Sequence, residues 1–173
     1  MTDDVFQDNA PNLGAEDEMD RGVLLLTRVM IAAYLDDPGK GLGTEERLFL
    51  RLIKRLMKKE EKRFADIVNS GSAPTTLHGH IKRLMTFTRA IYEDHMDNWF
   101  RVRALTSLAV AYARRNIPGD SENAGLLLVG FAEFLCLYRR AWLSRLGGIR
   151  VGLRRAFPLT WMRMRVGESC YKQ

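Results

Sequence analysis

The chain has 173 residues, enough for one domain with a true core and cramped for two, and 46% of them are hydrophobic, as in an ordinary globular protein. Its net charge of +6 hides an asymmetry. Residues 1–20 hold seven acids (Asp3, Asp4, Asp8, Glu16, Asp17, Glu18, Asp20) and no Lys or Arg, which leaves 27 basic against 14 acidic residues in the remainder. Two cysteines, an acidic start unlike a signal peptide, and no run of roughly 18 apolar residues argue against a secreted disulfide scaffold or a membrane span, and for a soluble intracellular protein.

Residues 1–20 lack apolar periodicity and read as a disordered acidic arm. From Val23 to Leu35 the positions Val23, Leu26, Met30, Ala33 and Tyr34 recur at helical spacing, with Asp20 as a plausible cap. Asp36-Asp37-Pro38-Gly39 and the glycines after it end that helix. Residues 45–68 form a second, strongly amphipathic stretch. It carries Leu48, Leu52, Leu56 and Phe64 on one side, and Arg51, Lys54, Arg55, Lys58, Lys59, Lys62 and Arg63 elsewhere. Asn69 to Pro74 breaks it, and the spacing of Leu77, Ile81, Leu84, Met85, Thr88, Ile91 and Tyr92 predicts one short and one medium helix. Asp97 or Asn98 then caps a helix running to about Ile117. Pro118-Gly119-Asp120 turns the chain, and Gly125 to Leu137 is apolar almost all round. Two such helices in succession imply a buried hairpin wrapped by amphipathic neighbours, and no strand pattern appears. The fold class expected is all-α, with the domain over 21–157 and a basic C-terminal tail over 158–173.

Chemistry of other kinds finds little support. His78-Gly79-His80 and the distant His95 lack a Cys or carboxylate cluster, so no metal site is expected. Gly39-Lys40-Gly41-Leu42-Gly43 lacks the spacing and the preceding strand of a phosphate-binding loop. No catalytic residue and no cofactor are expected. The basic second stretch suits nucleic acid, an anionic membrane or an acidic protein, and charge alone does not choose among them. A basic helical nucleic-acid-binding or interaction protein is therefore the runner-up reading.

Two segments carry more specific information. Asp97-Asn98-Trp99-Phe100-Arg101 opens the central helix, and Trp142-Leu143-Ser144-Arg145-Leu146-Gly147-Gly148 follows the hairpin. In this order the two resemble the first and second homology motifs of the Bcl-2 family of apoptosis regulators, over roughly residues 21–157. The resemblance implies a Bcl-2-like helical bundle whose surface groove captures the amphipathic death-motif helix of pro-apoptotic relatives. It implies that Arg101 pairs with the ligand's Asp through two parallel hydrogen bonds, a geometry that suits the guanidinium. Asn98 either adds a hydrogen bond to the ligand or caps the helix. Candidate trough walls are Leu52, Leu56, Leu84, Met85, Thr88, Tyr92, Val102 and Leu105; Trp99 and Trp142 read as packing anchors, and Gly147-Gly148 as a tight helix end.

Two departures from the family pattern matter. Phe100 stands where the family usually has Gly, so it either crowds the groove and narrows the ligand set or points elsewhere. The family's own death motif reads Leu-x-x-x-Gly-Asp, whereas the aligned stretch is Phe49-Leu50-Arg51-Leu52-Ile53-Lys54. With Lys54 in place of that Asp, the chain is expected to receive such helices and not to donate one, an anti-apoptotic role. A short, divergent member without a membrane anchor looks like the viral pro-survival homologues. The expected partners are pro-apoptotic Bcl-2 family proteins, with no nucleic acid. The expected location is the cytoplasm, with peripheral contact at mitochondrial or other intracellular membranes. The tail mixes Arg154, Arg155, Arg163 and Arg165 with Leu159, Trp161, Met162 and Met164. It is open to three readings: contact with an anionic membrane, folding back over the groove, or a disordered basic tail.

Overall fold

The computed structural model describes residues 13–170, which form nine helices and no strand. They are α1 (Leu13–Tyr34), α2 (Thr44–Lys59), α3 (Glu61–Asn69), α4 (Leu77–Ile91), α5 (Trp99–Asn116), α6 (Ser121–Tyr138), α7 (Arg140–Arg145), α8 (Gly148–Ala156) and α9 (Pro158–Cys170). The all-α, Bcl-2-like bundle expected from the sequence is what these residues build. α5 is its axis, packed against α1, α2, α3, α4 and α6. Val102, Leu105, Leu108, Ala109, Val110, Tyr112 and Ala113 are all buried there, so neighbours wrap α5 on nearly every side. α6 is different. It buries Leu127, Leu128, Phe131, Leu135 and Cys136, but Leu126, Glu133 and Leu137 face outward, so the hairpin is enclosed on one arm and open on the other.

Helix ends follow local chemistry. Asn98 Oδ1 accepts the Arg101 N–H at 2.9 Å, Asp120 Oδ1 accepts the Asn123 N–H at 3.0 Å, and Thr76 Oγ1 accepts the Gly79 N–H at 3.1 Å. α2 starts at Gly43, whose N–H is taken by Glu46 Oε2 at 2.6 Å. The expected basic stretch over 45–68 is two helices, turning at Glu60. Around that turn the chain is wholly polar (Lys58 to Arg63), so bending there costs no apolar contact, and periodicity alone does not register it. The expected pair of helices before Tyr92 is instead the single α4, capped by Thr76.

The expected acidic arm over residues 1–20 is helical from Leu13 onward. Residues 1–12 lie outside those described, but α1 begins at Leu13 and already contains Glu16, Asp17, Glu18 and Asp20. Acids suit the positive end of a helix, and Arg21 pairs with Asp17 at 2.6 Å and Glu18 at 3.1 Å. Lys54 also has a structural task. Its Nζ sits 3.0 Å from Asp36 Oδ1 and donates to the Asp37 carbonyl at 2.8 Å, tying α2 to the end of α1.

The tail is folded. α9 packs on α2 and α8, so the ordered domain runs past residue 157. Glu45 of α2, buried, accepts from Arg154 Nε and from Trp161 Nε1 at 3.2 Å, joining three helices. Burial pushes the Glu45 carboxyl up, but the hydrogen bonds from Arg154, its own backbone and Trp161, with the Arg154 charge, outweigh this and hold it below its ordinary 4.5. A depressed carboxyl contributes stability that is complete above the unfolded value and is lost as pH falls through the folded one. Amide exchange in α9 is therefore expected to accelerate as pH falls below about 4.5, beyond the intrinsic acid dependence. In Glu45→Gln that response disappears; an identical profile in both proteins would rule the linkage out.

Candidate functional site

The start of α5 gathers the ionic groups of interest. Asn98 caps the helix through its Oδ1, one of the two roles expected for it. The cap sets Arg101 in the first turn, and its guanidinium meets the Asp94 carboxylate with both Nη atoms, Nη2 to Oδ2 at 2.5 Å. Nη1 also donates to the Met96 carbonyl at 2.5 Å, while Asp94 Oδ1 accepts the Met96 N–H at 2.9 Å. The loop closes this way because His95 takes a left-handed backbone conformation (φ 57°), which folds Asp94 back toward the helix. Hydrogen bonding from Arg101, then from the Met96 amide, holds the Asp94 carboxyl well below the usual carboxylate range. The Arg101 side chain is 21% exposed and that of Asp94 is 55% exposed, so the pair faces solvent.

A second ion pair lies deeper. Arg139, just after α6, forms a two-pronged contact with Asp97, Nε to Oδ1 at 2.6 Å. Between the two arginines lies the buried ring of Tyr92, with the Arg139 guanidinium 4.5 Å and that of Arg101 5.6 Å from its centroid. Burial, then the Asp97 charge, pushes the Tyr92 hydroxyl up to about 12, so it stays protonated. The sequence reading missed Asp94, Asp97 and Arg139 as members of this cluster. Asp97 was seen as a candidate cap, but nothing in local spacing connects it to a residue 42 positions away.

The proposed trough does not form as drawn. Leu84, Thr88 and Tyr92 are buried where α4 packs across α5 and α6, and the Thr88 hydroxyl donates to the Leu84 carbonyl. Leu52, Val102 and Leu105 are buried because α2 is clamped to α5, with Arg103 Nε donating to the Leu52 carbonyl at 2.8 Å. These six are core residues. Leu56 and Met85 keep part of their surface open. Phe100 points to solvent, 71% exposed, and Met96, four residues before it, is 61% exposed. From Phe100 the half-exposed Ala104, buried Ser107 and half-exposed Ala111 continue one face of α5 at helical spacing. At the far end of that face, α2, α3 and α5 enclose a cleft of about 630 Å³ floored by Met57, Phe64, Val68 and Ala111 and rimmed by Lys58 and Arg115.

The two motif segments meet in the core. Trp99 packs on Trp142 with centroids 5.2 Å apart and edge-on to Phe49 at 6.4 Å, so both tryptophans are packing anchors as expected. Gly147 and Gly148 both hold positive φ (76° and 86°) between α7 and α8, a turn that side chains with a Cβ rarely make. Gly152 lets α8 touch the Trp99 ring: a Cβ there would lie 2.5 Å from Trp99 Cζ2. Gly152→Ala is expected to lower stability by about 1–3 kcal/mol and to alter the near-ultraviolet circular dichroism of the tryptophan pair. A wild-type unfolding midpoint would show that the Trp99 contact is not tight.

Among the described residues, no helix is long and apolar enough to cross a membrane. The family model described as BALF1 protein matches residues 1–173. The chain is 34% identical over 146 residues to the protein named apoptosis regulator BALF1 of Epstein-Barr virus (strain B95-8), covering 84% of this chain and 66% of that relative. It therefore spans just under two thirds of the relative's length. It is also 28% identical over 161 residues to the uncharacterized gene E4 protein of Equine herpesvirus 2 (strain 86/87), covering 85% of this chain and 87% of that one.

Proposed function

This chain belongs to the BALF1 protein family, and from that membership we propose that it regulates apoptosis by binding the amphipathic death-motif helix of pro-apoptotic Bcl-2 family proteins, in a pro-survival sense. The observation that carries the reading is the Arg101 fork. It stands at the solvent-facing start of the central helix and already grips a carboxylate, Asp94, in the two-pronged geometry that a ligand aspartate would need. Asp94 thus stands in for the ligand group.

Other features support it. Met96 and Phe100 offer exposed apolar contact beside the fork. A ligand helix running from Arg101 along Ala104 and Ala111 to the cleft would follow ten residue steps of α5, about 15 Å. α3, which packs on α5 and walls the cleft at the far end of that face, buries just Phe64 and Val68, a light attachment for an element that must yield to a ligand. Lys54, used to hold α1 to α2, removes the acid that a donor helix would present. The protein acts by stoichiometric binding, without catalysis or a cofactor.

The test is titration of a panel of fluorescent death-motif peptides against the full chain. Saturable binding is expected for at least one peptide, lost when that peptide's aspartate is changed to alanine. No binding by any peptide at low salt would overturn the proposal.

A further inference from the structure

α9 is apolar on two faces. Trp161 and Met164 turn inward, toward Glu45 and the side of α2, whereas Leu159, Met162 and Val166 lie outward, 67%, 49% and 64% exposed. The outward three fall at i, i+3 and i+7, a single straight stripe, and the exposed Arg163 borders it. Three adjacent aliphatic side chains held in water by a folded helix call for a partner surface.

The neighbouring surface tells which one. Along α2, Arg51, Arg55 and Lys58 are exposed, and among the described residues none of them has an ion pair or a side-chain hydrogen bond. With Arg47 and Lys54 they line a shallow hollow of about 500 Å³ that contains no acid, and Met164 of α9 forms part of its wall. The basic hollow and the aliphatic helix therefore adjoin. A phosphate backbone would use the cations and leave the stripe idle. A convex aliphatic helix beside cations instead matches the boundary between lipid headgroups and acyl chains, where apolar side chains sink in and basic ones meet anionic headgroups. At 13 residues, with arginines in it, α9 suits lying in that plane and not crossing it.

We propose that α9 and the basic face of α2 form one membrane-docking surface that seats this protein on anionic lipid. Association requires both parts: the cations attract the bilayer and the stripe inserts. The binding is reversible and independent of the Arg101 region.

The experiment is co-sedimentation of the full chain with vesicles of pure phosphatidylcholine and with vesicles containing about one third phosphatidylserine. Binding is expected on the anionic vesicles, weakened but not abolished by added salt, and near absent on the neutral ones. The exposed triple variant Leu159→Ser, Met162→Ser, Val166→Ser should lose roughly tenfold or more in vesicle affinity while keeping the wild-type circular dichroism and unfolding midpoint. Arg51→Gln, Arg55→Gln, Lys58→Gln should lose a similar factor on anionic vesicles. Equal binding to both vesicle types, no binding to either, or an aliphatic triple variant that binds like wild type would overturn the proposal. So would tight, salt-sensitive retention on duplex DNA or RNA without binding to anionic vesicles, which would assign the basic face to nucleic acid.

Discussion

Arg139→Ala is expected to destabilise the fold by about 3 kcal/mol, the low end for breaking a buried pair, since Arg139 and Asp97 keep 15% and 12% of their side chains exposed. Three consequences follow from removing one guanidinium. The Asp97 carboxylate loses both of its hydrogen bonds while remaining largely out of water. The Tyr92 ring loses the nearer of the two cations against it, and Tyr138, 5.4 Å from the same guanidinium, loses the same partner. The link between the loop before α5 and the end of α6 is then left to apolar packing. For a chain of this length the loss corresponds to a fall in Tm of roughly 6–12 °C. Asp97→Ala should behave similarly, and the double variant should cost less than the two single changes added together. Strict additivity would show that the pair does not act as a unit.

Arg101→Ala is expected to weaken binding of a death-motif peptide by roughly 30-fold or more, because the ligand carboxylate would be buried at the interface without its partner. The opposite sign is expected at Asp94. A ligand aspartate must take the Arg101 fork from Asp94, so part of the ligand's affinity is spent on displacing an internal competitor. Asp94→Asn removes the charge yet keeps an oxygen able to accept the Met96 N–H, so the loop retains its hydrogen bond while the fork is released. Affinity should rise by about threefold to tenfold, a modest gain because the Asp94–Arg101 pair faces solvent and is screened. Peptide titration by fluorescence anisotropy on both variants reads the two effects. If Arg101→Ala binds like wild type, Arg101 does not set the ligand's register; if Asp94→Asn binds more weakly, Asp94 organises the fork instead of competing for it.

The entry to α5 was legible and its wiring was not. Asn98 at a helix start, with an apolar period behind it, is enough to place Arg101 in the first turn of a buried helix. The partner of that arginine is not legible, because Asp94 reaches it through the left-handed turn at His95, and a non-glycine residue announces no such turn. The trough failed for a related reason. Leu84, Thr88 and Tyr92 do share one face of α4, as their spacing requires, but that face meets α5 and α6 and not a ligand. α9 shows the same ambiguity more sharply. Apolar residues on two opposite faces give a weak amphipathic signal, and this resembles a disordered tail until Trp161 and Met164 are seen to dock.

The sequence by itself determined the helical class, the breaks at Pro38, Pro74 and Pro118, the capped entry to α5 and the order of motifs that marks the family. These are local properties: caps, breakers and a period of 3.6 act within a few residues and need no knowledge of the rest of the chain. The tertiary structure decided which face of each helix is core, that Asp94 and Asp97 are the acids held by Arg101 and Arg139, and that α9 leaves an aliphatic stripe in the open on a helix that adjoins the exposed cations Arg51, Arg55 and Lys58. Those outcomes depend on which elements meet, and side chains seven, 42 or more than a hundred residues apart come into contact only once the helices have packed.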